Sequence, residues 1–256
     1  KIFKTGSPRA DLWKPLFADF WNTPSKIPKK QFLLISCNTG NANNINSLST
    51  LIKRENEMDR YQRAPSHLER TLGRYAEEFY KIIEYINCVR YLSENNNGYE
   101  IVFRPHPAED IESWKILLRD IPKVHILREG SITEWVQHAF AVMHNSCTTA
   151  LEATISKKPL VTYLLPNQKY TPQLANELGQ CVKSLKELNM TVNNLFELSK
   201  NKKNNNNETH EPLPTIISNK IFLDDQLAAE KIIKILEKIE NKNLSKPFDV
   251  KKFQSI

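Results

Sequence analysis

Two short segments carry residue types suited to holding a phosphorylated ligand. The first is Phe103-Arg104-Pro105-His106-Pro107. The second runs from His144 to Ala153 and reads HNSCTTALEA. Each lies where a short apolar run should hand over to a helix. In the first, two prolines fix the backbone around one imidazole. That rigidity would aim His106, with Arg104 beside it, at a leaving phosphate as hydrogen-bond donor or cation. In the second, Asn145 or Ser146 can cap a helix. Its exposed N–H groups and the hydroxyls of Ser146, Thr148 and Thr149 can bind phosphate. Glu152 lies about one turn further in, where a carboxylate can accept from ribose hydroxyls. The pair is equipment for a nucleotide mono- or diphosphate with its ribose, converging on one anion at one rim of a sheet. Taken alone, the second segment is equally a good helix cap, and a lone histidine in a turn is usually structural. Their joint placement in two strand-to-helix turns favours chemistry.

A third loop, Asn38–Asn44, has one glycine and no G-x-G-x-x-G pattern. Asn38, Thr39, Gly40 and Asn41 are weaker phosphate-loop candidates, and the loop could equally face a second domain. His67, His125, His138 and His210 read as structural. No metal-ligand spacing, nucleophile elbow, phosphate-binding Walker motif or HExxH stands in the chain, so no metal and no cofactor is expected.

The positioning elements follow from hydrophobic pattern. A helix is expected over Ala10–Trp21 and a strand over Gln31–Cys37. A long helix begins at Ser66, with Ser66 and Glu69 at capping-box spacing. Its apolar face is Leu68, Leu72, Tyr75, Phe79, Ile82 or Ile83, Ile86 and Val89, and Asn95–Gly98 ends it. Tyr99–Phe103 is a strand. Pro107 suits the first turn of the next helix, with Glu109, Asp110 and Glu112 at its positive end and Ile111, Trp114 and Leu118 on its buried stripe. Strands at Val124–Leu127, Phe140–Met143, Leu160–Leu164 and Gln180–Val182 then alternate with helices. Those helices fall at Ile132–Gln137, Thr148–Ser156, Pro172–Leu178 and from Leu185 to about Leu198. This alternation predicts an α/β fold, a Rossmann-like parallel sheet with helices on both faces. Fully apolar short strands agree, because such a sheet is covered on both sides. Ligands then sit at the carboxyl ends of the strands. Lys200–Glu208 is low-complexity and reads as a disordered loop. A final amphipathic helix spans Asp224–Glu240, with Ala228, Ile232, Ile235, Leu236 and Ile239 inward and a polar tail after Asn241. The partition is 1–30 linker and first helix, 31–199 nucleotide-binding domain, 200–214 disordered loop and 215–256 C-terminal helix and tail.

The 256 residues are 40% apolar, enough for a sizeable core, and carry a net charge of +7. The excess is mostly lysine spread along the chain, with a locally basic stretch from Lys242 to Lys252, and reads as solvated surface. No RNA-binding or helix-turn-helix signature accompanies it, so nucleic acid is not an expected partner. Cys37, Cys88, Cys147 and Cys181 form no CxxC pair and read as reduced, mostly buried thiols of a cytosolic protein. No apolar run reaches bilayer-spanning length.

Thr5–Leu12 (TGSPRADL), Phe32–Ser36 (FLLIS), Arg104–Pro107 (RPHP) and Ser146–Ala153 followed by Lys157-Lys158-Pro159 resemble bacterial surface-carbohydrate biosynthesis proteins of the lipopolysaccharide and capsule type. They are similar to the C-terminal, donor-binding half of GT-B glycosyltransferases, and within these to the Kdo- and sialyltransferase type. The resemblance covers roughly residues 1 to 185 and implies the second half of a GT-B fold. It implies a CMP-linked acid sugar as donor, a glycan or glycolipid acceptor, and a cytoplasmic site with peripheral contact at the inner membrane face. It places His106 on the nucleotide phosphate, Ser146, Thr148 and Thr149 on phosphate, and Glu152 on ribose. The family has Gly-Lys-Pro after the helix where this chain has Lys157-Lys158-Pro159, which could alter that turn. The chain opens at Lys1, so it is expected to be part of a longer protein whose N-terminal domain binds the acceptor and supplies the general base. Two other readings share the architecture: an enzyme like UDP-GlcNAc 2-epimerase, and a non-catalytic carbohydrate-assembly partner.

Overall fold

The computed structural model describes residues 2–58, 60–64, 66–166, 168–169, 173–202 and 213–243. The chain forms two compact units, one of Lys1–Leu12 with Glu211–Ile256 and one of Trp13–His210. In chain order the elements are α1 (Pro8–Asp11), a 3-10 helix (Pro15–Phe20), β1 (Phe32–Ser36), α2 (Leu48–Glu57), α3 (Arg60–Arg63), α4 (Ser66–Asn95), β2 (Glu100–Arg104), α5 (Ile111–Leu117) and β3 (Val124–Ile126). There follow α6 (Ile132–His138), β4 (Ala141–His144), α7 (Thr149–Ile155), β5 (Leu160–Tyr163), α8 (Gln173–Asn176), β6 (Gln180–Val182), α9 (Leu185–Lys202), α10 (Thr215–Ile221) and α11 (Ala228–Asn243).

All six strands are parallel, in the order β3-β2-β1-β4-β5-β6. The fold is Rossmann-like. The chain builds outward from β1 through β2 to β3, then returns to β1's other side for β4, β5 and β6. This reversal opens a crevice at the carboxyl ends of β1 and β4. Strand alternation sorts the core into two layers. Leu33 and Ile35 face a layer with Tyr85, Val89 and Leu92 of α4, Trp114 of α5, and Leu188, Val192 and Phe196 of α9. Phe32 points the other way and meets Trp135 of α6 edge-on, with ring centroids 6.0 Å apart. Strand residues Phe32–Ser36 are buried throughout, as a doubly covered sheet requires.

Several expectations are corrected. Ala10–Trp21 is not one helix. Pro15 lacks an N–H and drives Lys14 to an extended ψ of 148°, so α1 stops at Asp11 and a separate 3-10 turn follows. Pro107 is not in a helical first turn, because α5 starts at Ile111 with Asp110 as its cap. The buried face of α4 is rotated from the apolar stripe. Tyr75 and Val89 are buried as expected and Ile82 and Ile86 pack against the core, but Leu68, Leu72, Phe79 and Ile83 are exposed, while Glu78, Lys81 and Tyr85 are buried. On α11, Leu236 and Ile239 are exposed while Ala228 is buried. The segment 215–256 holds a further helix, α10, before the last one. Helix α9 continues to Lys202. The rest of the low-complexity stretch with His210, the start of the helix expected from Pro172, and the basic tail beyond 243 lie outside the described residues.

At the Lys157-Lys158-Pro159 turn the departure from glycine leaves the turn type intact. Lys157 takes the left-handed φ of 54°. Its N–H donates to Thr154 O and that of Lys158 donates to Ala153 O, which is the Schellman ending of a helix. Among the described residues no helix is long and apolar enough to cross a membrane.

Candidate functional site

Because every strand runs the same way, the loops after β1, β2 and β4 leave from one rim, with the β1 loop in the middle. Ser36 ends β1 opposite Arg104 of β2 and His144 of β4, so the three loops start level. The polar segments singled out in the sequence are therefore neighbours. Asn38 Nδ2 donates to Ser146 O at 3.2 Å. On the other side, a methyl group built at Gly40 would lie 3.6 Å from His106 Nδ1. His106 and Ser146 thus flank Asn38–Gly40. Two strand spacings, roughly 9–10 Å, separate β2 from β4. A ligand of nucleotide length can lie across the intervening loop.

The β1 and β2 loops are zipped together by main chain and by one buried acid. Asp110 N donates to Asn43 O and Ile45 N to Ala108 O. Glu109 is fully buried. Its Oε1 accepts from Thr39 N at 2.9 Å and His106 N at 3.2 Å. Its Oε2 accepts from Thr39 Oγ1 at 2.9 Å and Trp114 Nε1 at 2.6 Å. Of the three acids expected at the positive end of α5, Asp110 caps it, accepting from Glu112 N and Ser113 N, and Glu112 lies in its first turn, whereas Glu109 precedes it. The Asp110/Ser113 cap spacing was the signal that Glu109 precedes the helix. A second buried acid, Glu78 of α4, holds the far end of the β1 loop. It accepts from Asn41 N at 2.8 Å, Asn41 Nδ2 at 2.6 Å and Ala42 N at 3.1 Å. Two helical turns on, Tyr85 Oη donates to Ser36 O and accepts from Asn145 N, tying the ends of β1 and β4. Sequence reasoning passed over Glu78 and Tyr85 and read Glu109 only as a helix-dipole partner. The spacing of Glu78, Lys81 and Tyr85 marks one helical face, beside the apolar one read from the sequence.

His106 is exposed. Its Nδ1 accepts from Ala108 N at 3.1 Å, which places the proton of the neutral imidazole on the outward Nε2. Thr148 is exposed and its hydroxyl makes no capping bond. The other candidates are engaged within the protein. Arg104 donates to Glu129 O at 2.7 Å and Gly130 O at 2.5 Å, and lies over the Trp135 ring. Burial lowers its pKa to about 10, so it stays charged at neutral pH. Asn145 Nδ2 donates to Tyr163 O and Gln168 Oε1. Ser146 sits at a left-handed φ of 59°. Asn176 holds it there, accepting from Ser146 N and donating to Ser146 Oγ. Thr149 Oγ1 lies 3.0 Å from Ser36 Oγ and 3.2 Å from Cys147 Sγ. Glu152 Oε2 accepts from Thr133 Oγ1 at 2.6 Å. Burial, with Glu109 nearby, pushes the Cys37 thiol well up, which keeps it protonated.

His144 anchors the β4 loop from beneath. Its Nδ1 accepts from Cys147 N, and its Nε2 meets Thr162 Oγ1 at 2.8 Å, whose own proton goes to Leu178 O. The ring is therefore neutral with Nε2 protonated. Burial drops its pKa to about 3. The unfolded chain takes up this proton first, near the ordinary value of 6.5, so stability is whole above that pH and declines as pH falls toward 3. At pH 5 the loss from this residue should be about 2 kcal/mol relative to neutral pH. Urea unfolding at pH 7.5 and pH 5.0 measures it. The wild type should lose about 2 kcal/mol more than His144→Gln across that interval.

Among the described residues no group of His, Cys, Asp and Glu could hold a metal ion.

A scan of protein-family models and a search of curated proteins find no match to the sequence. Solved structures do match. The wall teichoic acid polymerase TagF aligns at 12% identity and a TM-score of 0.47, covering 96% of this chain and 52% of that one. The Methanocaldococcus jannaschii UDP-GlcNAc 2-epimerase, in complex with UDP-GlcNAc and UDP, aligns at 17% identity and a TM-score of 0.44, covering 93% and 55%. The Thermosulfurimonas dismutans KpsC, a beta Kdo 2,7 transferase, aligns at 15% identity and a TM-score of 0.34, covering 70% and 50%. The chain spans about half the length of each of these three structures.

Proposed function

We propose that this chain is the donor-binding half of an inverting glycosyltransferase. It holds a nucleotide-activated sugar, a CMP-linked acid sugar, for transfer to a glycan or glycolipid in surface polysaccharide biosynthesis. One observation carries the reading: exposed His106 and exposed Thr148 stand on either side of the Asn38–Gly40 loop at the switch point of a parallel sheet. Each group then has a role. His106 offers its Nε2–H to an oxygen of the departing phosphate, which stabilises the charge that develops there. Asn38, Gly40 and Asn41 line the ligand's path, and Thr148 donates to its other end. Arg104, Asn145, Ser146, Thr149 and Glu152 act from behind, fixing the loops through the bonds they make within the protein. Preorganisation of this kind is what makes a donor effective, since no reorganisation is needed as charge moves.

Saturation-transfer NMR with CMP, UDP and CDP tests the reading. Binding with a preference for CMP supports it. A preference for UDP favours the epimerase-like alternative, and no binding favours a non-catalytic assembly partner. His106→Ala should weaken nucleotide binding about tenfold, a loss of one charge-assisted hydrogen bond. Its melting temperature should stay at the wild-type value, because the side chain is exposed. Unfolding of the variant together with no nucleotide binding by the wild type would make His106 structural.

A further inference from the structure

Lys81 has no part in the site as proposed above. It lies on the buried face of α4, one turn from Glu78 and one turn from Tyr85. Glu78 grips the β1 loop at Asn41 and Ala42, and Tyr85 bonds the ends of β1 and β4. Lys81 is therefore set between the two anchors, beneath the loop that separates His106 from Ser146. Its ammonium feels the charges of Glu78 and Glu77 and lies within electrostatic reach of Cys37 and Cys147, which follow β1 and β4. The residue is only 3% exposed. Among the described residues its ammonium has no hydrogen bond and no ion pair. Glu78, whose oxygens accept from the Asn41 and Ala42 donors, offsets part of its charge through space without a hydrogen bond to it. Burial lowers the Lys81 pKa, and the acids nearby only partly offset that.

An ammonium whose burial outweighs the acids around it is disfavoured, and such groups cluster where a ligand completes them. An anion entering the crevice between the β1 and β4 loops would supply the missing charge and three donors' worth of acceptors. We propose that Lys81 is the cation that receives the phosphate of the bound nucleotide. The assignment rests on the nucleotide-binding reading of this rim. It gives the site a positive charge on its floor, in addition to the neutral donors of the loops. It also explains why α4 turns a face bearing Glu78, Lys81 and Tyr85 inward while Leu68, Leu72, Phe79 and Ile83 stay exposed.

Isothermal titration calorimetry on the full chain tests it, with CMP, UDP and CDP as probes and cytidine and uridine as phosphate-free controls. For whichever nucleotide the wild type binds, Lys81→Met should weaken affinity tenfold or more, and Lys81→Arg should recover part of it. Affinity for the matching nucleoside should be the same in all three proteins. The melting temperature of Lys81→Met without ligand should equal or exceed that of the wild type, because a charge that burial disfavours has gone. Equal nucleotide affinity in wild type and Lys81→Met would overturn the role of Lys81 and leave the nucleotide site standing. Equal losses for nucleotide and nucleoside, with a lower melting temperature, would make Lys81 structural. A wild type that binds none of the three nucleotides would overturn the reading of the rim itself, and the assignment with it.

Discussion

Glu109→Ala should lower the free energy of unfolding by about 3–5 kcal/mol, the largest effect of any single change at the rim. The reason is the asymmetry of buried hydrogen bonds. One carboxylate satisfies Thr39 N, Thr39 Oγ1, His106 N and Trp114 Nε1. Removing it leaves donors stranded in a place where Glu109 itself is fully buried. Each stranded donor costs about 1–3 kcal/mol unless water reaches it. Glu109→Gln separates charge from shape. The amide keeps the volume but has one acceptor oxygen, and its NH2 would face either the Trp114 indole N–H or the two backbone amides. It should cost roughly half as much as alanine. Denaturant unfolding of the three proteins gives the ordering. Wild-type stability in Glu109→Ala would mean that the β1 and β2 loops are not held by this residue. The same variants should lose nucleotide binding, because the acid fixes His106 and Thr39 together.

Tyr85→Phe should cost about 2–3 kcal/mol. Its hydroxyl is buried, donates to Ser36 O and accepts from Asn145 N. Phenylalanine keeps the ring and its edge-on contacts with Phe103 and Trp114. What it loses is one donor and one acceptor partner at the carboxyl ends of β1 and β4. The effect should therefore be confined to the crevice. Amide exchange should quicken at Asn145 and its neighbours in the variant and stay unchanged in β3 and β6. Uniform quickening across the sheet would point instead to general loss of packing.

The framework of the fold was legible because its signals are local. The run FLLIS is buried throughout, and a strand covered on both faces has no polar alternation to blur it. Strand and helix alternated at the pitch that permits only parallel strands, and all six are parallel. The three rim loops could be read for the same reason: each is polar sequence directly after an apolar run. The face of α4 could not be read that way. Leu68, Leu72, Phe79 and Ile83 make a regular apolar stripe, yet they are exposed. The helix instead presents Glu78 and Tyr85 inward, because hydrogen bonds to the β1 loop and the strand ends replace the solvation these groups give up. Such partners are distant in sequence, and no periodicity encodes them. Glu109 was hidden in a similar way. An acid near a helix start reads as a dipole partner, and only the donors on Thr39 and Trp114 reveal it as the clamp between two loops. Arg104 and Thr149 show the converse. Their residue types invite a ligand, but their bonds to Glu129, Gly130 and Ser36 are already made.

The central claim is that a phosphorylated nucleoside lies across the Asn38–Gly40 loop, between His106 and Thr148. The most direct measurement is a titration of nitrogen-15-labelled protein with CMP, UDP and CDP, following every backbone amide. The signals of residues 38 to 41, 106 and 148 should shift together with one saturating affinity, while those at the opposite ends of the same strands stay in place. Shifts gathered elsewhere on the molecule, or none with any of the three nucleotides, would contradict it.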